Sequence, residues 1–86
     1  MSKLHASHPD VVRRLRRAIG QLGSVVSMIE AGRPCPAVAQ QLQAAEKAVT
    51  QAKKAFIHDH IDHCLDERPS ISKTTMREFK TISKYL

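Results

Sequence analysis

Residues 35–64 read CPAVAQQLQAAEKAVTQAKKAFIHDHIDHC, and their periodicity predicts one long helix. Apolar side chains recur at intervals of three and four residues, which places them along one side of a helix. This predicted stripe consists of Val38, Leu42, Ala45, Val49, Ala52 and Phe56. The two cysteines of the chain, Cys35 and Cys64, stand at opposite ends of the helix. Because each residue adds about 1.5 Å, we expect them about 40 Å apart. The two thiols can then meet only across two antiparallel copies of the helix.

Helical patterns also precede and follow this segment. A first helix is predicted from about residue 9 to 31, and the long helix from about 36 to 67. A third helix is predicted from about 72 to 85. Residues 1–8 are expected to form a mobile arm. The first helix is expected to bury a stripe made of Val12, Leu15, Ile19, Leu22, Val26 and Ile29.

The breaks between these helices carry clear signals. Gly32 is suited to a helix C-terminus, and the segment Arg33-Pro34-Cys35-Pro36 is a tight connector that favours a helical hairpin. Pro69 prevents the long helix from continuing. The third helix has apolar positions at Thr75, Phe79, Ile82 and Leu86, with Met76 alongside.

Length and composition indicate a single all-α domain. The chain has 86 residues, 3% aromatic residues and no Trp. A chain this short buries a modest core, and dimerisation is a common remedy. No apolar run approaches the roughly 20 residues of a membrane span, and no signal-peptide core is present at the N-terminus. We therefore expect a cytoplasmic protein whose cysteines stay reduced unless they bind metal or perform redox chemistry.

The charge of the chain favours a polyanionic partner. The formal net charge is +6 and the pI is about 9.8, which indicates nucleic acid first and an acidic membrane surface second. An arginine cluster lies in one turn of the first helix, and a hairpin would bring it near lysines of the second helix. The residues predicted to contact DNA phosphates are Arg14, Arg16, Arg17, Lys53 and Lys54. A solvated basic face without a partner is the alternative.

The cysteine and histidine residues predict a metal site. His60 and Cys64 are four residues apart and so neighbours on one helical face. Cys35 from a second copy supplies a third ligand, and two thiolates with one imidazole favour Cu(I), with Zn(II) or Ni(II) possible. The competing interpretations are a buried His and Cys without metal, and a thiol sensor that forms a Cys35–Cys64 bridge between chains. Catalysis is not expected, because no glycine-rich oxyanion loop is present.

Several of these motifs resemble one known family. Arg14-Leu15, Ile19-Gly20-Gln21-Leu22, Cys35, the segment QQLQAAEKAV and the cluster HDHIDHC together resemble the CsoR/RcnR/FrmR family of small helical bacterial repressors. The resemblance implies a three-helix protomer, an antiparallel four-helix-bundle dimer and a homotetramer formed as a dimer of dimers. It also implies a transcriptional repressor that binds operator DNA in the apo state.

Within that family, the ligand pattern separates the branches. Copper sensors of the family have Cys, His and Cys at the positions that match Cys35, His60 and Cys64. This resemblance implies that Cu(I) binding releases the protein from DNA. The nickel/cobalt branch carries His where this chain has Cys64 and adds an N-terminal His where this chain has Lys3. His5 and His8 are close to that N-terminal position, and His63 flanks His60 and Cys64, so these three are the possible additional ligands. The formaldehyde branch has Pro where this chain has Ser2, and the persulfide branch lacks the His that matches His60. Both differences count against assigning the chain to these branches.

The chain departs from the copper-sensing pattern at three positions. Pro34 replaces a Tyr, and Glu78 is the residue nearest to a third-helix Glu that supports the ligand His in relatives. Gln51 replaces an Arg that contributes to DNA binding in relatives. The alternative functions are a Ni(II)/Co(II)-sensing repressor that uses an N-terminal His, a thiol-based redox or electrophile sensor of the same fold, and a small metal-storage protein.

Overall fold

The computed structural model describes residues 7–66 and 73–86, with side chains described for 7–62 and 73–86. Three helices make up this part of the chain: α1 (His8–Glu30), α2 (Cys35–Asp66) and α3 (Lys73–Ser83). The predicted all-α class with three helices is confirmed. Residues 1–6 of the expected mobile arm lie outside the described residues, whereas His8, also assigned to that arm, belongs to the first turn of α1.

The turn between α1 and α2 forms for local reasons. Gly32 has a φ of 70°, a left-handed conformation that glycine adopts without a steric penalty. The Arg33 amide donates to the Met28 carbonyl at 3.0 Å, and the Gly32 amide donates to the Ile29 carbonyl at 3.1 Å. This pairing is a Schellman motif and satisfies the last carbonyls of α1. Two residues later, the Pro34 carbonyl accepts the first hydrogen bonds of α2, so α2 starts at Cys35.

Small apolar residues form the contact between α1 and α2. On α1 the buried side chains are Val11, Ala18 and Val25, which recur every seven residues. On α2 they meet a face that carries Ala45 and Ala52, both with 0% exposure. Side chains this small let the two helix axes approach closely, and dispersion contacts between the helices then accumulate along the hairpin.

The predicted burial of the large apolar residues of α1 is wrong for the protomer. Ile19 is 67% exposed and Val26 is 55% exposed. The other exposed members of the predicted stripe are Val12, Leu15, Leu22 and Ile29. The reason is geometric: α2 covers the neighbouring edge of the apolar arc, where Ala18 lies, and leaves the larger side chains uncovered. On α2 the predicted stripe is divided, because Ala45 and Ala52 are buried while the larger residues Leu42, Val49 and Phe56 are exposed.

Helix α3 packs on a different face of α2. Ile57 is 3% exposed, although it lies about 140° around the helix from Ala52 at 3.6 residues per turn. Helix α3 contacts α2 and not α1 in the described residues. The predicted apolar face of α3 is half-buried at Thr75, Phe79 and Ile82. None of the three described helices combines the length and hydropathy needed to cross a membrane.

Candidate metal centre and DNA-contacting surface

Cys35 presents its thiol at the start of α2. It is the first helical residue and its side chain is exposed as a free thiol. The thiol borders an open cleft of about 480 Å³ that is lined mainly by apolar side chains, among them Ile29, Val38 and Leu42. Cys35 is therefore accessible at the edge of an uncovered apolar surface.

His60 lies near the other end of the same helix and is half-buried. The 25 residues that separate it from Cys35 correspond to about 37 Å along an unbroken α-helix. Zinc and copper lie about 2.0–2.3 Å from each ligand atom, so one ion cannot contact both residues of one chain. Among the described side chains, no three His, Cys, Asp or Glu residues form a group that could hold a metal ion. A site that uses both Cys35 and His60 therefore requires a second chain.

His8 brings the start of α1 close to this end of α2. Its imidazole stacks on the Phe56 ring with centroids 5.1 Å apart and an interplanar angle of 11°. Phe56 precedes His60 by four residues and so lies on the same side of α2. Of the possible additional ligands, His8 thus packs on a residue that lies one helical turn before His60.

The remaining predicted ligands fall largely outside the described side chains. Cys64 and His63 are residues of α2. Their side chains lie outside the described part of the structure. His5 lies outside the described residues altogether. Glu78 is on α3 and its side chain is exposed, so its support of His60 stays a prediction.

Two of the predicted DNA-contacting arginines share one groove. Arg14 and Arg17 of α1 line a cavity of about 210 Å³ together with Gln21, Ala48 and Gln51. The groove lies between α1 and α2 and brings two guanidinium groups beside two amides. Gln51, at the position where the family resemblance predicts an Arg, is thus on the arginine-bearing side of the hairpin.

Asp10 holds two arginines of the cluster. Its carboxylate accepts a hydrogen bond from Arg14 Nε at 2.7 Å and forms an ion pair with Arg13. The hydrogen bond from Arg14, with the positive charges of Arg14 and Arg13, lowers the pKa of Asp10 below its ordinary value. The sequence interpretation missed this contact, although Asp10 precedes the arginines by three and four residues, the spacing typical of helical ion pairs.

The other predicted DNA contacts lie outside this groove. Arg16, Lys53 and Lys54 are exposed and are not among the residues that line the cavity of Arg14 and Arg17. The expected single patch of arginines and lysines therefore stays a prediction, and its observed part is the pair of arginines beside Gln51.

Comparison with known proteins identifies the family. Residues 7–85 match the family described as metal-sensitive transcriptional repressor. The chain is 30% identical over 53 residues to the copper-sensing transcriptional repressor CsoR of Mycobacterium ulcerans (strain Agy99), a match that covers 62% of this chain and 45% of that relative. It is also similar to the solved structure of the nickel-responsive transcriptional regulator InrS, with a TM-score of 0.80 and 25% identity over 99% of this chain and 98% of the other. The chain therefore belongs to the family of metal-sensitive transcriptional repressors, which are not enzymes.

Proposed function

We propose that this chain is a copper-responsive repressor that binds operator DNA as the apoprotein and releases it when Cu(I) binds. The proposed site combines Cys35 of one copy with His60 and Cys64 of another. The observation that carries the proposal is the accessible Cys35 thiol, which stands at the far end of the helix from His60 and beside an apolar cleft.

The exposed apolar face supports the second copy. Large side chains of α1 and α2 that point away from the α1–α2 contact would be buried if two hairpins packed together. An antiparallel pair of α2 helices brings Cys35 of one copy to the His60 end of the other, since the two residues are separated by nearly the whole helix. We propose that this dimer associates further into a tetramer.

The donor set supports Cu(I) as the metal. Two thiolates and one imidazole form a soft site of low coordination number, which suits Cu(I) better than harder divalent ions. Cys35 of one copy with His60 and Cys64 of the other would hold the ion, and its coordination bonds would tie the ends of two α2 helices together. Similarity to a copper-sensing relative agrees with this assignment.

The coupling between metal and DNA passes through α2. Arg14 and Arg17 face α2 across the groove that contains Gln51, so a change in the relative position of the α2 helices alters the spacing of the arginines of the two copies. We propose that Arg14, Arg16, Arg17, Lys53 and Lys54 contact DNA phosphates in the apo arrangement only. A difference of 1–3 kcal/mol between the two states, typical of allosteric coupling, changes the DNA affinity about 5–150-fold.

Replacement of Cys35 by Ala tests the site and its coupling. We expect this variant to bind DNA as the apoprotein does and to remain bound when Cu(I) is added, as measured by fluorescence anisotropy with DNA from upstream of its own gene. Ser24→Ala, at an exposed position of α1, is the control and is expected to respond like the wild type. Copper-driven release of the Cys35→Ala variant would show that the assigned site is wrong.

Nickel is the second candidate inducer. The overall fold is similar to that of a nickel-responsive regulator, and His8 stacks on Phe56, one turn before His60, which makes His8 the candidate for a further nitrogen ligand. Anaerobic titration with Cu(I), Ni(II) and Zn(II) distinguishes these candidates. Tight Ni(II) binding that is lost in a His8→Ala variant, together with weak Cu(I) binding, would favour nickel.

A further inference from the structure

The described part of α3 and the turn after it carry a row of four cations. Lys73, Arg77, Lys80 and Lys84 are separated by four, three and four residues, which places them on one face of a helix. All four side chains are exposed. This set is called the α3 row below. None of the predicted DNA contacts belongs to it.

The α3 row faces away from the rest of the protomer. Phe79 and Ile82, which are half-buried, lie about 120–180° around the helix from Lys73 at 3.6 residues per turn. The apolar side of α3 therefore packs on α2 and the cationic side points outward. Because α3 does not contact α1 in the described residues, the α3 row is a separate surface from the arginines of α1.

No acidic side chain neutralises the α3 row within the described part of the chain. Glu78 is the one acidic residue among residues 73–86, and it lies about 140° around the helix from Lys73. The described ion pairs are those of Asp10 with Arg13 and Arg14, and none involves the α3 row. Arg13 and Arg14 already have a carboxylate partner, whereas none of the described carboxylates forms an ion pair with the α3 row.

We propose that the α3 row binds the phosphate backbone of duplex DNA as a second contact surface. The row is about 16 Å long at 1.5 Å per residue. One strand of B-DNA carries one phosphate charge per 3.4 Å of helix axis, so more than one phosphate lies within the length of the row. Lysine and arginine contacts to phosphates add affinity and fix orientation but do not read sequence. The inference rests on the proposed DNA-binding function and assigns α3 a part in it.

The test is the salt dependence of DNA affinity for a variant with Arg77→Gln and Lys80→Gln. Each phosphate contact contributes about 0.9 to the slope of log K against log[salt], so we expect a slope flatter by about 1.8 for each copy whose α3 row contacts the DNA. The affinity loss should be equal for DNA from upstream of its own gene and for a random duplex of the same length. Circular dichroism checks that the variant is folded, and a Lys73→Gln/Lys84→Gln variant provides a second measurement if it is not.

A matched control removes the same charge from elsewhere on the chain. Arg33→Gln with Lys47→Gln changes two exposed cations outside α3 and is expected to leave the slope unchanged. An unchanged slope in the α3 variant, or equal flattening in the control, would overturn the proposal. Loss of binding to phosphatidylserine vesicles with an unchanged DNA slope would overturn it in favour of a membrane surface.

Failure of the proposal can be distinguished from failure of the proposed function. If the wild type shows no salt-dependent DNA affinity, the DNA-binding function itself is wrong. If the wild type binds DNA, Arg14→Ala weakens binding and the α3 variant does not, only the assignment of the α3 row is wrong.

Discussion

At the scale of single residues, Asp10 organises the arginines at the start of α1. Its carboxylate accepts a hydrogen bond from Arg14 Nε, whose N–H is one of the five donors of the guanidinium. The contact restricts the orientation of Arg14, which also lines the groove with Gln51. An ion pair this exposed is screened by salt. Asp10 therefore positions the arginine more than it stabilises the fold.

The lowered pKa of Asp10 predicts a pH dependence of stability. A carboxylate whose pKa is lower in the folded state stabilises the fold at pH values above its unfolded pKa. This contribution declines as the pH falls below the ordinary value of 3.8 and is lost below the folded-state pKa. We expect Asp10→Asn to lower the free energy of unfolding at neutral pH and to have no effect in stronger acid, as measured by urea unfolding. The difference should also shrink in high salt, and a difference that persists in acid would contradict the assignment.

At the scale of helices, the hairpin depends on small side chains between α1 and α2. Ala18 of α1 is 2% exposed, and Ala45 and Ala52 of α2 are 0% exposed. Contacts between α1 and α2 are also more extensive than those between α2 and α3. The hairpin is therefore the main unit of the described protomer, and α3 is an addition to one face of α2.

Enlarging one of these alanines should destabilise the hairpin. Ala45→Leu adds three carbon atoms to a side chain that is 0% exposed, and overpacking of this kind costs about 1–3 kcal/mol. Ala44→Leu is the matched control, because Ala44 is exposed on the same helix. Thermal unfolding followed by circular dichroism measures both variants. Equal stability of the two variants would show that the α1–α2 contact tolerates larger residues at position 45.

At the scale of the whole molecule, the protomer is elongated and incompletely covered. Its principal extents are 56 × 23 × 16 Å, and large apolar residues are exposed on both α1 and α2. Contiguous apolar surfaces of this kind mark interaction sites. In the proposed dimer, a second copy would cover both the exposed stripe and the cleft beside Cys35, so assembly and metal binding are parts of one proposal.

A charge placed in the exposed stripe tests this assembly. Ile19 is 67% exposed in the protomer, so Ile19→Lys should cost an isolated protomer little. We expect it to reduce the molar mass measured by light scattering, because a lysine buried between two copies loses its hydration. Gln43→Lys, at an exposed polar position of α2, is the control and should keep the wild-type mass. An unchanged mass for Ile19→Lys would exclude the stripe around Ile19 as the interface.

Much of the fold and part of the site could be predicted from local sequence signals. Gly32, Pro34 and Pro36 determine where α1 ends and α2 begins, because the chemistry of each acts within a few residues. The placement of Cys35 at the head of α2, with His60 far along the same helix, follows from residue count alone. The ion pairs of Asp10 were equally readable from their spacing, although the sequence interpretation missed them.

The sequence by itself determined the three helices, their turn and the order of Cys35 and His60 along α2, since these depend on neighbouring residues and on the helical repeat. Only the tertiary structure decided which apolar residues the protomer buries. Apolar residues cover a broad side of both α1 and α2, and part of it is buried in the α1–α2 contact while part is exposed. The periodicity of the sequence does not show which part of that side the neighbouring helix covers. Close approach of α1 and α2 selected the edge with Ala18, Ala45 and Ala52, because small side chains allow the closest packing. The larger residues, including Ile19 and Leu42, were left exposed as a result.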